Sequence, residues 1–139
     1  MKRFLLASVL LMPSLSPAYA EGALAVAIPD DGLSRGFTYG MHVGAEKPED
    51  ARKLAMTACQ EAVKKVQENQ SQKKSKVQVG RCKIVESFKK ACVAVALDAK
   101  GQWAGWAVFK EEKTARDRSI GRCKVGGGSC AVAEVQCDK

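Results

Sequence analysis

Histidine is nearly missing: the 139-residue chain has one, His42. A general base needs a partner placed beside it, and no nucleophile–base arrangement is visible, so acid–base catalysis lacks its usual carriers. His42 reads as an ordinary surface or hydrogen-bonded residue of a strand. The cysteines never fall as Cys-x-x-Cys, which argues against a thioredoxin-like redox centre. Clustered Cys/His spacing for zinc is absent as well. Aromatic residues make up 6% of the chain, and none is interleaved with the lysines before Cys82, which argues against a platform for stacking single-stranded nucleic acid. After Ala20 no apolar run approaches the ~18 residues that a membrane-spanning helix needs. From these gaps we expect no catalytic residue, no cofactor, no metal site and no transmembrane segment.

What is present begins with a leader. Met1-Lys2-Arg3 is basic, Phe4 to Met12 is apolar, and Ala18-Tyr19-Ala20 has the small-x-small form of a cleavage site. We expect residues 1–20 to be a signal peptide and 21–139 a single exported domain, periplasmic or secreted. Its 119 residues suffice for one core and not for two. All six cysteines (Cys59, Cys82, Cys92, Cys123, Cys130 and Cys137) fall in that part. An even count in an exported chain reads as a disulfide framework.

The chain also repeats itself. Leu24-Ala-Val-Ala-Ile28, Pro29-Asp-Asp-Gly32 and Arg35-Gly-Phe37 share a layout with Cys92-Val-Ala-Val-Ala-Leu97, Asp98-Ala-Lys-Gly101 and Gln102-Trp-Ala-Gly-Trp106. Ala25 to Ala94, Gly32 to Gly101, Gly36 to Gly105 and Phe37 to Trp106 are each 69 positions apart. We therefore expect copy one over 22–91 and copy two over 92–137. Each copy reads as β-β-α-β, a hairpin, a helix and a closing strand. The fold class is α+β, a small disulfide-stapled domain of two tandem repeats with helices packed on antiparallel sheet.

Within copy one, Leu24 to Ile28 is a strand and Pro29-Asp-Asp-Gly32 a turn, since Pro presets φ and Gly tolerates positive φ. Phe37, Tyr39, Met41 and Val43 alternate with Thr38, Gly40 and His42, the period of a half-buried strand. Lys47-Pro48-Glu49-Asp50 opens a helix. Ala51, Leu54, Ala55, Ala58, Cys59, Ala62, Val63 and Val66 continue it as one apolar stripe to about Glu68. Asn69 to Val79 has no apolar period and reads as an exposed loop. A strand resumes over Cys82 to Phe88.

In copy two, Cys92–Leu97 and Gly101–Phe109 form the hairpin, Thr114-Ala115 opens a shorter helix ending near Cys123, and Cys130–Cys137 is the last strand. That helix rests on the repeat alone, because its apolar stripe is thin. Asp30-Asp31 reads as a turn rather than a metal site, and copy two has Ala99-Lys100 there. Phe37, Tyr39, Trp103 and Trp106 read as core packing, and Gly126-Gly-Gly128 as a hairpin loop. Six cysteines allow 15 pairings. Equivalent places in the two copies suggest Cys59–Cys82 and Cys123–Cys130, which leaves Cys92–Cys137.

The order and residues together resemble a known family. Gly22-Ala-Leu-Ala-Val-Ala, Gly36-Phe37, Ala58-Cys59, Cys82 with Phe88, Cys92-Val-Ala-Val-Ala and Gly105-Trp106 look like the exported bacterial domain-of-unknown-function family 4189. The resemblance runs over nearly all of Gly22 to Cys137. It implies a small, exported, cysteine-bearing α+β domain and supplies no catalytic residues. The chain departs from the family in its long Lys/Gln-rich stretch before Cys82, where members look shorter.

That stretch, a basic insertion at about 61–81, holds the functional clue. Without Lys2 and Arg3 the chain has 21 basic residues against 15 acids, and between Glu61 and Lys83 the count is seven against two. Lys64, Lys65, Lys73, Lys74, Lys76, Arg81 and Lys83 are candidate contacts to an anionic polymer, lipid or protein surface. The plain alternative is a solvated, lysine-rich loop. The leading expectation is a non-enzymatic binding protein that presents the loops of a stapled scaffold to a macromolecular partner. The alternative is a cationic effector or antimicrobial-like protein acting on anionic envelope or host surfaces. A small hydrolase with an unrecognised site stands behind both.

Overall fold

Alternate residues of the two central strands differ in size, and that difference sets the layers. The computed structural model describes residues 20–29, 37–73 and 80–138. Residues 1–19 of the expected leader, the stretch holding Asp30, Asp31, Gly32 and Gly36, and residues 74–79 lie outside them. Strands β1 (Glu21–Ala27) and β2 (Thr38–Ala45), helix α1 (Pro48–Lys73) and strand β3 (Cys82–Lys89) form the first β-β-α-β unit. Strands β4 (Cys92–Asp98) and β5 (Ala104–Phe109), helix α2 (Glu112–Lys124) and strand β6 (Cys130–Cys137) form the second. The strands make two antiparallel three-stranded sheets, ordered β2-β1-β3 and β5-β4-β6.

On β1, Ala23, Ala25 and Ala27 turn to one side and pack with Ala51, Ala55 and Cys59 of α1. On β4, Cys92 and Ala94 likewise meet Ala115 of α2. The intervening large residues, Leu24, Val26, Val93 and Val95, meet each other with Met41 and Phe88 between the sheets. The order is thus helix, sheet, sheet, helix. Branched side chains fill the middle, and methyl groups let each helix lie close on its strand.

Glycine carries this closeness to its limit. A Cβ on Gly40 would run into the backbone of α1 at Ala55, Ala58 and Cys59, and one on Gly105 into α2 at Ser119, Arg122 and Cys123. Ser119 is fully buried and hydrogen-bonds back to the Arg116 carbonyl at 2.8 Å, so its hydroxyl is satisfied inside the helix. This is how α2 forms on a thin apolar stripe.

Strand pairing corrects the 69-residue equivalence. Ala25 faces Gly40 across the first hairpin, and Ala96 faces Gly105 across the second. Ala27 faces Cys82, and Asp98 faces Cys130. A register shift falls at Leu24/Ala25 in one unit and at Val95/Ala96 in the other. Gly40 rather than Gly36 therefore corresponds to Gly105, and Met41 rather than Phe37 to Trp106. The cause is loop length: 15 positions separate Ala25 from its partner, 9 separate Ala96 from its own. Phe37 and Trp106 instead stack on each other between the sheets, their centroids 6.0 Å apart at 11°.

Other boundaries move for local reasons. Helix α1 runs to Lys73 rather than Glu68, since Asn69 to Lys73 contains neither glycine nor proline to break it. The loop expected from Asn69 is therefore helical as far as Lys73. Leu54, placed in the apolar stripe, is 45% exposed; the buried line is Ala51, Ala55 and Cys59, and Leu54 lies on its flank. Thr38 and Gly40, read as the open face of β2, are buried beneath α1. Gly126 to Gly128 is a helix-to-strand connection rather than a hairpin loop, with Gly127 at φ +91°.

Three disulfides close the frame: Cys59–Cys82, Cys123–Cys130 and Cys92–Cys137. The first two are the pairs that equivalent places suggested, and the third joins the two cysteines left over. At the junction of the units, the Lys90 N–H donates to the Asp138 carboxylate at 2.9 Å, and the Asp138 N–H donates to the Ala91 carbonyl at 2.9 Å. Asp138 is buried. The end of β6 is thereby fastened to the start of β4 by a covalent bond and two hydrogen bonds.

Candidate functional site

Residues around the Cys59–Cys82 bond shape a groove. Cys59 is fully buried under β1 and β2, so the bond draws the start of β3 against the middle of α1. Gly80 sits on the Ile28 backbone, where a side chain would collide with the carbonyl. Past this pinch, α1 and the incoming strand diverge and leave a space of about 440 Å³ lined by Gln60, Val63, Gln67, Gly80, Arg81 and Cys82. Val63 and Cys82 supply apolar wall; Gln60, Gln67 and Arg81 supply the polar rim. Apolar walls with a few convergent polar groups are the usual make-up of a binding cleft.

The four basic candidates with described side chains, Lys64, Lys65, Arg81 and Lys83, do not all face the groove. Arg81 lines the groove and is exposed, with no hydrogen bond or ion pair among the described residues. Lys64 stands on the same helical face as Gln60 and Gln67 and approaches Glu68 at 3.9 Å; both partners are exposed and the pair adds little to stability. Lys65 is exposed two residues past Val63, on the far side of the helix. Lys83 follows Cys82 in β3, so its side chain leaves the sheet on the face opposite to the groove wall that Cys82 forms. Lys73 ends α1 without a described side chain, and Lys74 and Lys76 lie outside the described residues. Gln60, Val63, Gln67 and Gly80 were missed by sequence reasoning; the adjacency of Gly80 and Arg81 to a cysteine was the only trace of them.

The aromatic candidates divide. Phe37, Tyr39 and Trp106 pack between the sheets. Trp103 is 39% exposed and lies over the glycines of the α2–β6 connection. It is pinned by its backbone: its N–H donates to the Asp98 carboxylate at 2.8 Å, and its carbonyl accepts from the Asp98 N–H at 3.1 Å. The donated Trp103 N–H holds the Asp98 carboxyl below the usual range. His42 is half-buried on the helix-facing side of β2. Among the described residues, no three His, Cys, Asp or Glu side chains gather as a metal-like group, and no helix is long and apolar enough to cross a membrane.

A polar contact joins the two sheets. The Tyr39 phenol on β2 stands beside the Glu134 carboxylate on β6, which accepts from Gln136 Nε2 at 2.7 Å. Burial first, then the charge and hydrogen bond of Glu134, push the Tyr39 phenol up to about 12. Because its folded value exceeds the unfolded one, the fold favours the neutral phenol. That stability is complete below about pH 10 and is lost as pH rises through 12. Tyr19 is the only other tyrosine, so a chain starting at Glu21 reports Tyr39 alone in an ultraviolet titration. Tyr39→Phe should cost about 1 kcal/mol at neutral pH and flatten the fall in stability between about pH 10 and 12. Urea midpoints over that range check both.

Comparison with known proteins places the frame rather than the groove. Searches of the curated proteins and of the solved structures return no match. Residues 22–137 match the family described as "Domain of unknown function (DUF4189)", from the first residues of β1 to the last cysteine of β6. With nearly all of both β-β-α-β units inside the match, the chain belongs to the DUF4189 family.

Proposed function

We propose that this protein is a non-enzymatic binding protein, exported to the periplasm or beyond. On this reading its disulfide-stapled scaffold presents the α1–β3 groove to the acidic surface of a macromolecular partner. The carrying observation is Arg81, an exposed guanidinium without an internal partner among the described residues, at the mouth of an apolar groove whose wall is a disulfide. Arginine in such a place offers a planar fork to carboxylates, and the covalent wall limits the ordering cost of binding. Three disulfides are consistent with export.

The second reading, a cationic effector with diffuse charge, draws on Lys65 and Lys83 standing away from the groove. Salt elution from immobilised heparin, a plain polyanion, separates the two. With a local site, Arg81→Glu elutes at clearly lower salt than the parent, and the slope of log K against log salt falls by about 1. Lys65→Glu, on the far side of α1, then elutes close to the parent. Equal shifts for the two variants would sink the local site and favour the cationic effector.

A further inference from the structure

At one end of the second unit, apolar side chains stand outside the core. The β4–β5 hairpin, the end of α2 and the start of β6 meet there, held by the Cys123–Cys130 bond. Val125 follows α2 and is 88% exposed. A β-branched residue gains no helix propensity in that place, and Val125 belongs to none of the three apolar clusters. Directly after it, Gly126 and Gly128 carry the Trp103 ring. A Cβ at Gly126 would overlap the indole, and one at Gly128 would come within 2.9 Å of Cδ1. The indole is thus seated on backbone while 39% of the residue stays open to solvent. Ala99, at the tip of the hairpin, is exposed too. The charges around these groups are mostly positive. Lys100, Arg122 and Lys124 are exposed, and Asp98 is the one acid in the stretches 98–104 and 121–130. Its carboxylate is engaged inside the hairpin, accepting from the Trp103 N–H at 2.8 Å and the Lys100 N–H at 3.4 Å. Arg122 Nη1 donates to the Trp106 carbonyl at 2.6 Å, which fixes its guanidinium beside the edge strand β5.

We propose that this end of the second unit docks on an anionic lipid bilayer. Val125 and Trp103 enter the interfacial layer, and Lys100, Arg122 and Lys124 lie among the headgroups. The surface is separate from the α1–β3 groove and does not depend on it. Three features select lipid. An indole, apolar in body and polar at one tip, favours the bilayer interface over water. Val125 adds an aliphatic group at an open tip, where shallow insertion covers it without any shaped pocket. The three cations suit the negative surface of an anionic leaflet, whose attraction acts within a Debye length. A sugar platform would want free polar groups around the ring, whereas the Asp98 oxygens are already taken by backbone N–H groups.

The test uses a chain starting at Glu21, with its disulfides formed, so that the apolar run of residues 4–12 takes no part. It is mixed at physiological salt with vesicles of phosphatidylcholine, or of phosphatidylcholine and phosphatidylglycerol in equal parts. Co-sedimentation reads binding, and lipids brominated along their acyl chains quench an indole that reaches the bilayer. The mixed vesicles should bind at least about fivefold more protein than phosphatidylcholine alone, and tryptophan emission should be quenched. Trp106 is half-buried between the sheets, so Trp103→Phe should remove the quenching. Val125→Asp and Lys124→Glu should each weaken binding about fivefold or more. Both positions are exposed, which keeps the test decisive even where Trp103→Phe does not fold. Lys65→Glu, on α1 in the opposite outer layer, should bind close to the parent. Equal losses for Lys65→Glu and Lys124→Glu would mean diffuse charge attraction and overturn the proposal. So would binding without quenching, equal binding to both kinds of vesicle, or binding to neither. A shift of tryptophan emission with chitohexaose and not with vesicles would make the ring a sugar platform, and would overturn it as well.

Discussion

Alanine at Gly105 should destabilise the protein by about 3 kcal/mol or more, and valine there should leave no folded domain. The added Cβ would meet the Ser119 carbonyl oxygen and the Cys123 amide nitrogen, both backbone atoms of α2 that no rotamer change can move aside. The helix would have to lift off the strand. Lifting it separates Ala115 from Ala94 and pulls on the Cys123–Cys130 bond. Gly40 holds the same relation to α1, and the same substitutions there should have effects of the same size. The contrast is Gly121 on α2, where a Cβ would meet nothing. Gly121→Ala should stabilise by roughly 0.5–1 kcal/mol through helix propensity. Urea unfolding of the three variants, disulfides intact, reads the difference. A loss below about 1 kcal/mol at Gly105 would show that the helix does not depend on this contact.

Replacing Cys92 and Cys137 together with alanine should have the largest effect of any disulfide removal. Loop-closure entropy ranks the three bonds by the chain they enclose. Their sequence separations are 45 for Cys92–Cys137, 23 for Cys59–Cys82 and 7 for Cys123–Cys130. The corresponding contributions are about 4, 3.5 and 2.5 kcal/mol. Against the 5–15 kcal/mol typical of a whole domain, the first is a large share. Its loss should lower the melting temperature by on the order of 15 °C. Two further contacts fail with it, since the Asp138 bonds to Lys90 and Ala91 depend on β6 ending where it does. Thermal and urea melts of the three paired variants give the order directly. A larger loss for Cys123–Cys130 than for Cys92–Cys137 would mean that the bonds act through local helix–strand geometry and not through the closed loop.

Much of the frame was legible because it is local or repeated. The stripe of Ala51, Ala55 and Cys59 announces α1, and four cysteines at equivalent places announce their own pairing and leave Cys92 for Cys137. The layer order was harder to see. Ala-Val-Ala-Val looks uniformly apolar, yet its alternation of small and branched residues records two covered faces, a helix on one and a sheet on the other. The 69-residue spacing misled because it counted through hairpin loops of unequal length, whereas glycines pressed on a helix keep strand register. The groove was hardest. It forms where α1 and the start of β3 diverge beyond the Cys59–Cys82 bond, a meeting of segments that exists only in the folded chain. Within the basic run, Lys83 directly follows Cys82, but a strand sends adjacent side chains to opposite faces, so Lys83 does not share the groove wall that Cys82 forms.

The fastening of Cys137 to Cys92 also governs how the protein bears load. A pull applied at Glu21 and Asp138 passes through the covalent bond and bypasses residues 93–136. The Cys59–Cys82 bond bypasses 60–81 in the same way. Only about fifty residues can then extend, roughly 175 Å of chain, and the second unit stays folded under tension that strips the first. Anchored by its two ends, the protein would be a short tether with a rigid, shielded half. Gln60, Val63, Gln67, Gly80 and Arg81 of the groove lie inside the loop that the Cys59–Cys82 bond takes out of the line of force.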